Sequence, residues 1–493
     1  MVKCLLLTIC GWCAEGLRNE SMREADARVM ATVFDKIWEG HTVGRRADGR
    51  TLVYVDRHVM HDLHAPHAFT MLRRSGRAVR RPDLTVAVTD HMVATSAGRT
   101  DATIPGSAPF LARTRAGAAE LGIRLLGLDS PWQGIVHVVS PELGIALPGS
   151  TVACPDSHAC TVGGVGALGL ATGTTELVHV LATQTLALKR PKQMRITLDG
   201  VLAPDVTAKD LILFVIGHWG SDMARGHAVE FAGPVTRALP VEGRMTLCNM
   251  VTELGGRTGL VAPDASVAAW LRGRACAPEG ADWDAAVAEW AELHSDAGAA
   301  FDTDLQVDCR VIEPQVTWGI DPAHVIGLSG RVPSPDDVPP ADRDGIRRAL
   351  DYMHLQAGAP IAGVPVDRVF IGSCTNARLS DLQAAAAVVA GRHVAAGLRA
   401  TVVPGSTGVK RGAEALGLHK VFRDAGFEWG ESGCSMCAGV NGEEGRPGQR
   451  IVSTTNRNFA GRQGAGVMTH LASPATAAAA ALAGRIVDSR AAR

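Results

Sequence analysis

The chain has 493 residues, of which 46% are hydrophobic and 20% charged, and its 49 basic and 50 acidic residues leave a net charge near zero. This composition excludes disordered, collagen-like and coiled-coil proteins. The charge balance and an aromatic content of 4% argue against a nucleic-acid-binding surface. Every apolar run is shorter than the ~18 residues that a membrane-spanning helix needs. We therefore expect a soluble protein with no nucleic-acid or membrane partner.

The first 29 residues show little pattern, and we interpret residues 1–29 as an N-terminal extension that is non-native or disordered. The apolar residues that follow Met30 have the spacing of one helical face: Val33, Phe34, Ile37 and Trp38. Cys10 and Cys13 form a CxxC spacing without the strand and helix that a redox motif needs. The eleven cysteines are too sparse for a disulfide framework, so reduced thiols and a cytoplasmic location are expected.

Short apolar runs alternate with helix-like stretches along the rest of the chain, which is typical of α/β layers. The runs predicted as strands cover residues 52–55, 85–88, 196–198, 369–371 and 401–403. A helix is predicted over residues 379–389. Another is predicted over residues 475–486, with Ser473 as its N-cap and Pro474 in its first turn.

Four histidines recur at three-residue spacing, as they would in a metal site: His58, His61, His64 and His67. Pro66 interrupts a continuing helix there, and neither an acidic residue nor a cysteine completes a ligand shell in the sequence. We predict no metal site from this ladder.

Three cysteines differ from the others in their surroundings. Cys374 lies between the strand predicted at 369–371 and the helix predicted at 379–389, where a helix N-terminus favours a thiolate. Cys434 and Cys437 form a CxxC pair in a Gly/Ser-rich stretch. Structural zinc usually takes four ligands, whereas an iron–sulfur cubane on three thiolates leaves one iron open. From spacing alone, a purely structural role for the CxxC pair is equally well supported.

Eight short motifs are dispersed along the chain in this order: Asp56-Arg57-His58, Thr89-Asp90-His91, Gly134-Ile135-Val136-His137, Asp156-Ser157-His158, Val229-Glu230-Phe231, Gly372-Ser373-Cys374-Thr375-Asn376, Gly433-Cys434-Ser435-Met436-Cys437 and Asn456-Arg457-Asn458-Phe459. In these motifs the sequence resembles the aconitase superfamily, and within it the large subunits of 3-isopropylmalate dehydratases. The resemblance runs from about residue 33 to the C-terminus.

The resemblance implies a 4Fe-4S cluster on Cys374, Cys434 and Cys437, whose open iron acts as a Lewis acid. It implies a hydro-lyase that isomerises a small hydroxy dicarboxylic acid by dehydration and rehydration. The implied fold has three α/β domains around the central cluster. We place these domains at residues 30–192, 193–315 and 316–493.

The resemblance also implies the other site residues. The catalytic candidates are Asp90, His91, His137, Asp156, His158 and Glu230. The substrate-binding candidates are His61, Ser157, Asn456, Arg457 and Arg462. Two arginines five residues apart suit bidentate binding of carboxylates.

The family's fourth, swivel domain has no counterpart in the sequence. The resemblance therefore implies a separate small subunit that supplies this domain and its catalytic serine base. Six positions depart from the dehydratase pattern: His64, Pro155, Ala159, Val162, Ala465 and Met468.

Because of these departures, other substrates stay open: citraconate or methylmalate, homoaconitate, or an acid of specialised metabolism. An alternative function is that of a non-catalytic protein that binds a cluster and acts as a sensor. The near-zero net charge and the missing fourth domain argue against the sensor.

Overall fold

The computed structural model describes residues 30–437 and 439–492. The predicted N-terminal extension and the Cys10–Cys13 pair lie outside the described residues. The helices of the described part are α1 (Val33–Gly40), α2 (Ala65–Arg74), α3 (Ser107–Glu120), α4 (Val136–Glu142), α5 (Thr174–Thr183), α6 (Ala208–Trp219), α7 (Pro234–Ala238), α8 (Val241–Asn249), α9 (Ala265–Leu271), α10 (Ala281–Ala291), α11 (Arg343–Met353), α12 (Leu379–Val389), α13 (Thr407–Ala415), α14 (Leu418–Asp424) and α15 (Pro474–Ala483).

The strands of the same part are β1 (Thr42–Arg45), β2 (Thr51–Tyr54), β3 (Arg57–His61), β4 (Thr85–Val88), β5 (Arg124–Leu126), β6 (Thr151–Cys154), β7 (Leu168–Ala171), β8 (Thr185–Leu188), β9 (Lys192–Asp199), β10 (His227–Ala232), β11 (Thr258–Leu260), β12 (Thr303–Asp308), β13 (Gln315–Thr317), β14 (Val325–Gly327), β15 (Arg368–Ile371), β16 (Arg399–Val402), β17 (Glu428–Trp429), β18 (Arg450–Ser453) and β19 (Met468–Leu471).

Three parallel sheets dominate the fold, and each takes its strands from one continuous part of the chain. Their strand orders are β5-β4-β3-β6-β7, β11-β10-β9-β12 and β17-β16-β15-β18-β19. Parallel pairing needs a crossover between strands, which explains why helices alternate with strands along the sequence. Two antiparallel sheets, β1-β2-β8 and β13-β14, complete the structure. The predicted α/β fold class is confirmed.

The predicted division into three domains stays a prediction. The β9 strand, which opens the second parallel sheet, begins at Lys192, beside the predicted boundary. The helices α9 and α10, however, pack their buried faces on the first sheet. Val267 and Trp290 share a hydrophobic core with Val136 and Leu143 of that earlier segment. Residues on both sides of the predicted boundary at residue 192 therefore share one hydrophobic core.

The predicted elements agree closely with the observed ones. All five predicted strands and the helix over residues 379–389 are present. Ser473 is the N-cap of α15 and accepts a hydrogen bond from the Thr476 amide, as predicted. The helix ends at Ala483 rather than residue 486, because Gly484 adopts a left-handed φ of 66° that closes it. In the part of the chain with described coordinates, no helix is long and apolar enough to span a membrane.

An ion pair between His41 and Asp56 fixes the end of α1 against the first sheet. His41 Nε2 lies 2.7 Å from Asp56 Oδ2, and both side chains are largely buried. Although burial opposes its charge, Asp56 raises the pKa of His41. Stability gained from a raised histidine pKa is fully present below its unfolded pKa of about 6.5, and it is lost as the pH rises through the folded pKa.

We expect His41→Gln to destabilise the protein by about 1 kcal/mol at pH 6, and by less at pH 9. Urea unfolding of both proteins at the two pH values measures this difference. An equal loss at both pH values would contradict a charged His41.

Candidate active site

The candidate site lies where the carboxyl ends of two parallel sheets meet. His61, Asp90 and Asp156 stand at or just beyond the ends of β3, β4 and β6, while Cys374 and Asn456 follow β15 and β18. Ligands of open α/β sheets bind at this edge, because loops from several strands converge there.

Three cysteines lie on two loops beyond β15 and β17. Cys374, Cys434 and Cys437 are all buried and free. The Cys437 amide donates to the Cys434 carbonyl at 3.0 Å, and Ser373 Oγ lies 3.3 Å from Cys437 Sγ. Ser373 and Ser435 adopt left-handed φ angles of 80° and 47°, which turn both loops sharply beside the sulfurs. The three thiols thus belong to one compact, buried group.

The polar groups around these sulfurs fit an iron–sulfur cluster. Asn249 donates its amide to Cys374 Sγ at 3.2 Å, and Asn456 donates to the same sulfur at 3.5 Å. Cys437 Sγ lies 3.6 Å from Asn456 Oδ1. Thiolate ligation with hydrogen bonds to the sulfurs is the environment that such clusters require.

Burial raises the pKa of Cys374, and it raises that of Cys434 well above its usual value. The sequence predicts a lowered pKa for Cys374 from a helix N-terminus, whereas burial raises this pKa in the structure. The helix α12 begins only at Leu379, so burial decides the shift. Binding of a metal must therefore displace protons from the thiols.

Asp90 and His91 form a pair that faces the thiols. His91 Nδ1 lies 2.7 Å from Asp90 Oδ1 and 3.9 Å from Cys434 Sγ. Although burial opposes its charge, Asp90 and Cys434 raise the pKa of His91 well above its usual value. Asp62 accepts hydrogen bonds from the main-chain amides of His91 and Met92 at 3.1 and 2.9 Å, and so holds this loop.

The structure places His61 against two rings, with His64 edge-on at 5.1 Å between centroids and His91 stacked on it. The His61 and His91 rings stack with centroids 4.2 Å apart, and His61 Nε2 lies 3.2 Å from the Pro155 carbonyl oxygen. The ligand atoms of His61, Asp62, Asp90 and His91 lie within 4.8 Å of one another. The structure therefore brings two acidic residues to His61 that the histidine spacing alone does not reveal. These acids already bind main-chain amides or His91, and burial lowers the pKa of His61 to about 3.

Asp156 joins two histidines in a second network. His137 Nε2 lies 2.9 Å and His158 Nδ1 3.3 Å from Asp156 Oδ1. The other nitrogen of His158 lies 3.0 Å from Glu253 Oε1. Burial opposes the charge of His158, but Glu253 and Asp156 raise its pKa to about 10. His158 is therefore a protonated imidazolium between two carboxylates.

Arg457 closes this network from the opposite sheet. Its Nε donates to Glu253 Oε1 at 2.8 Å, and its Nη2 donates to Ser157 Oγ at 3.0 Å. The arginine side chain keeps 25% of its surface exposed, while that of Glu253 keeps 1%. The guanidinium is thus fixed at the open side of the site.

Two predicted site residues are not brought into these networks. Glu230 accepts a hydrogen bond from Ser295 Oγ at 2.6 Å on the second sheet, and burial raises its pKa. Arg462 lies over the Phe459 ring, 5.4 Å from its centroid, and its buried Nε has no hydrogen-bond partner among the described residues. The carboxylate that reaches His158 in the structure belongs to Glu253 and not to Glu230.

Sequence reasoning missed three polar residues of the site: Asp62, Asn249 and Glu253. Asn249 and Glu253 stand four residues apart in the largely apolar stretch 245–254, a spacing that predicts one shared face. Asp62 directly follows His61 and was available as a neighbouring acid. These signals are weak without the contacts that the structure supplies.

The departures from the dehydratase pattern fall in different surroundings. Ala159 and Val162 are buried within the segment that follows Asp156-Ser157-His158. His64 is half-buried at the start of α2. Ala465 is exposed, whereas Met468 is buried in β19.

Acid–base groups face buried thiols where the edges of two parallel sheets meet, and the comparisons with known proteins identify the chain as a hydro-lyase. The chain belongs to the aconitase family: the family model described as aconitate hydratase matches residues 35–484. The chain is 54% identical over 460 residues to 3-isopropylmalate dehydratase large subunit 1 of Bradyrhizobium diazoefficiens, which covers 93% of this chain and 96% of the relative. Among solved structures, the holo form of aconitase X from Thermococcus kodakaraensis is similar, with a TM-score of 0.43 and 12% identity over 82% of this chain and 84% of that one.

Proposed function

We propose that the chain is the large, cluster-binding subunit of a 3-isopropylmalate dehydratase. The observation that carries this proposal is the meeting of three buried thiols with the carboxylate–imidazole networks, with Cys434 Sγ 3.9 Å from His91 Nδ1. A relative that is 54% identical over nearly its whole length, and is described as this subunit, supports it.

Cys374, Cys434 and Cys437 would hold a 4Fe-4S cluster. When bound, such a cluster supplies an open iron that acts as a Lewis acid on a hydroxyl and a carboxylate. Asn249 and Asn456 orient the sulfurs through their amides. The residues around the thiols therefore suit the group that the family implies.

The two imidazole networks handle protons. His91 and His158 are held in the protonated form by Asp90 on one side and by Asp156 and Glu253 on the other. A protonated imidazole donates to a hydroxyl group as it leaves, which lowers the barrier to dehydration. His137 and Asp156 fix the orientation of this second donor.

Two arginines anchor the substrate. Arg457 is held in place by Glu253 and Ser157, and the unpartnered buried Nε of Arg462 is suited to a carboxylate oxygen. His61 lies on the wall of the same site, stacked on His91.

The name of the relative, a large subunit, supports a separate small subunit as partner. We propose that this partner supplies the swivel domain and the serine base that removes the substrate proton. A cytoplasmic location suits the eight described cysteines, all of which are free thiols.

An assay of dehydration by the anaerobically purified chain with the small subunit tests this proposal. We expect turnover of 3-isopropylmalate only with both subunits present. Citraconate, methylmalate and homoaconitate, assayed in parallel, test the buried departures at Ala159 and Val162. A protein that binds a cluster but turns over none of these acids would contradict the proposal.

A further inference from the structure

Lys209 is a fully buried cation near the start of α6, with 0% of its surface exposed. Its ammonium donates to the main-chain carbonyls of Thr454 at 3.2 Å and Thr455 at 2.6 Å. Both carbonyls lie just beyond β18. Among the described residues, Lys209 forms no ion pair with a carboxylate.

Such a charge is costly unless an opposite charge balances it. Burial of an unpaired ammonium is strongly unfavourable, because it loses its hydration. The start of a helix adds to this cost, because the helix dipole is positive there. Arg244, an equally buried cation, donates to Asp264 at 2.8 Å. Carbonyl dipoles satisfy two donors of Lys209 but bring no net negative charge.

The cysteine loops supply that charge when a metal is bound. Thr454 Oγ1 accepts from the Gly372 amide and donates to the Gly372 carbonyl, both at 2.9 Å, and so joins the carbonyls bound by Lys209 to the loop of Cys374. Thr455 precedes Asn456, whose amide donates to Cys374 Sγ.

The acidic groups and thiols near Lys209 affect the pKa of its ammonium. Burial lowers the pKa of Lys209 to about 8, although Glu253, Asp381, Cys374 and Cys437 act to raise it. Conversion of the thiols to metal-bound thiolates strengthens this attraction.

We propose that Lys209 is the buried counter-charge of the cluster held by Cys374, Cys434 and Cys437, and that it sets the cluster's retention and reduction potential. The inference rests on the proposed function, because it requires the cluster. Reduction potentials of iron–sulfur clusters depend on nearby charge and on burial. Among the described residues the Lys209 ammonium binds two main-chain carbonyls and no sulfur, so Lys209 is a positioning residue that acts through charge.

The test compares the wild-type chain with Lys209→Met and Lys209→Gln, all purified without oxygen and loaded with iron and sulfide. We expect both variants to shift the one-electron equilibrium of the cluster at least tenfold toward the oxidised form. In a redox titration this shift lowers the reduction potential by about 59 mV. Loss of cluster iron to a chelator should also be at least tenfold faster. Lys420→Met, the same change at an exposed lysine, should match the wild type.

The glutamine variant separates charge from hydrogen bonding, because it keeps an N–H donor for the Thr455 carbonyl. The proposal would be overturned if the one-electron equilibrium of the cluster in Lys209→Gln stayed within twofold of the wild-type value. Without the cluster, both variants should unfold at or above the wild-type temperature, because an unpaired buried charge is removed. Failure of both to fold would also overturn it. Absence of iron in the wild type would instead overturn the proposed function.

Discussion

Replacement of Cys437 with serine should abolish retention of the cluster. We expect iron and acid-labile sulfide to fall from about four of each per chain in the wild type to below half of that. A serine oxygen is a harder ligand than a thiolate and binds cluster iron poorly at neutral pH. Iron and sulfide analysis of protein purified without oxygen measures the loss.

Cys309→Ser is a matched control, because Cys309 is also buried and lies just beyond β12 of the second sheet, with its sulfur 3.8 Å from the Val307 carbonyl oxygen. This variant should keep the wild-type iron content. Equal loss of iron in both variants would mean that unfolding, rather than loss of a ligand, explains the result. Full retention of iron by Cys437→Ser would exclude Cys437 as a ligand.

The sequence could predict the elements whose signals are local. The strand before Cys374 is a short apolar run with buried side chains, and Ser473 followed by Pro474 marks the start of α15. Each signal depends on neighbouring residues alone. For this reason the predicted strands and helix starts agree with the structure.

The sequence could not predict which carboxylate reaches the site, because this depends on how three sheets pack together. Glu230 and Glu253 are both buried acids of the same segment, and only Glu253, in the 3-10 turn that follows α8, meets His158. The lowered pKa expected for Cys374 failed for the same reason. A helix N-terminus is a local signal, whereas the burial that raises the pKa comes from distant parts of the chain.

Replacement of Glu253 with glutamine should reduce turnover by about 10² to 10⁴. Glu253 binds both His158 and Arg457, so an amide there weakens two functions at once. Without its carboxylate, the pKa of His158 should fall from about 10 toward its usual range, and the proton donor should be lost at lower pH. The descent of the pH–rate profile on its alkaline side should therefore begin at lower pH. Measurement of kcat and KM against pH, with the small subunit present, tests this.

Glu230→Gln provides the matched control, since it makes the same change at a buried acid that binds Ser295 instead. We expect turnover within about twofold of the wild type, because its carboxylate contacts neither imidazole network. A large loss of kcat in Glu230→Gln, together with wild-type behaviour in Glu253→Gln, would show that Glu230 is the catalytic carboxylate, as the sequence predicts. A loss in Glu253→Gln confined to KM would make Glu253 a support for Arg457 in substrate binding rather than a partner of the proton donor.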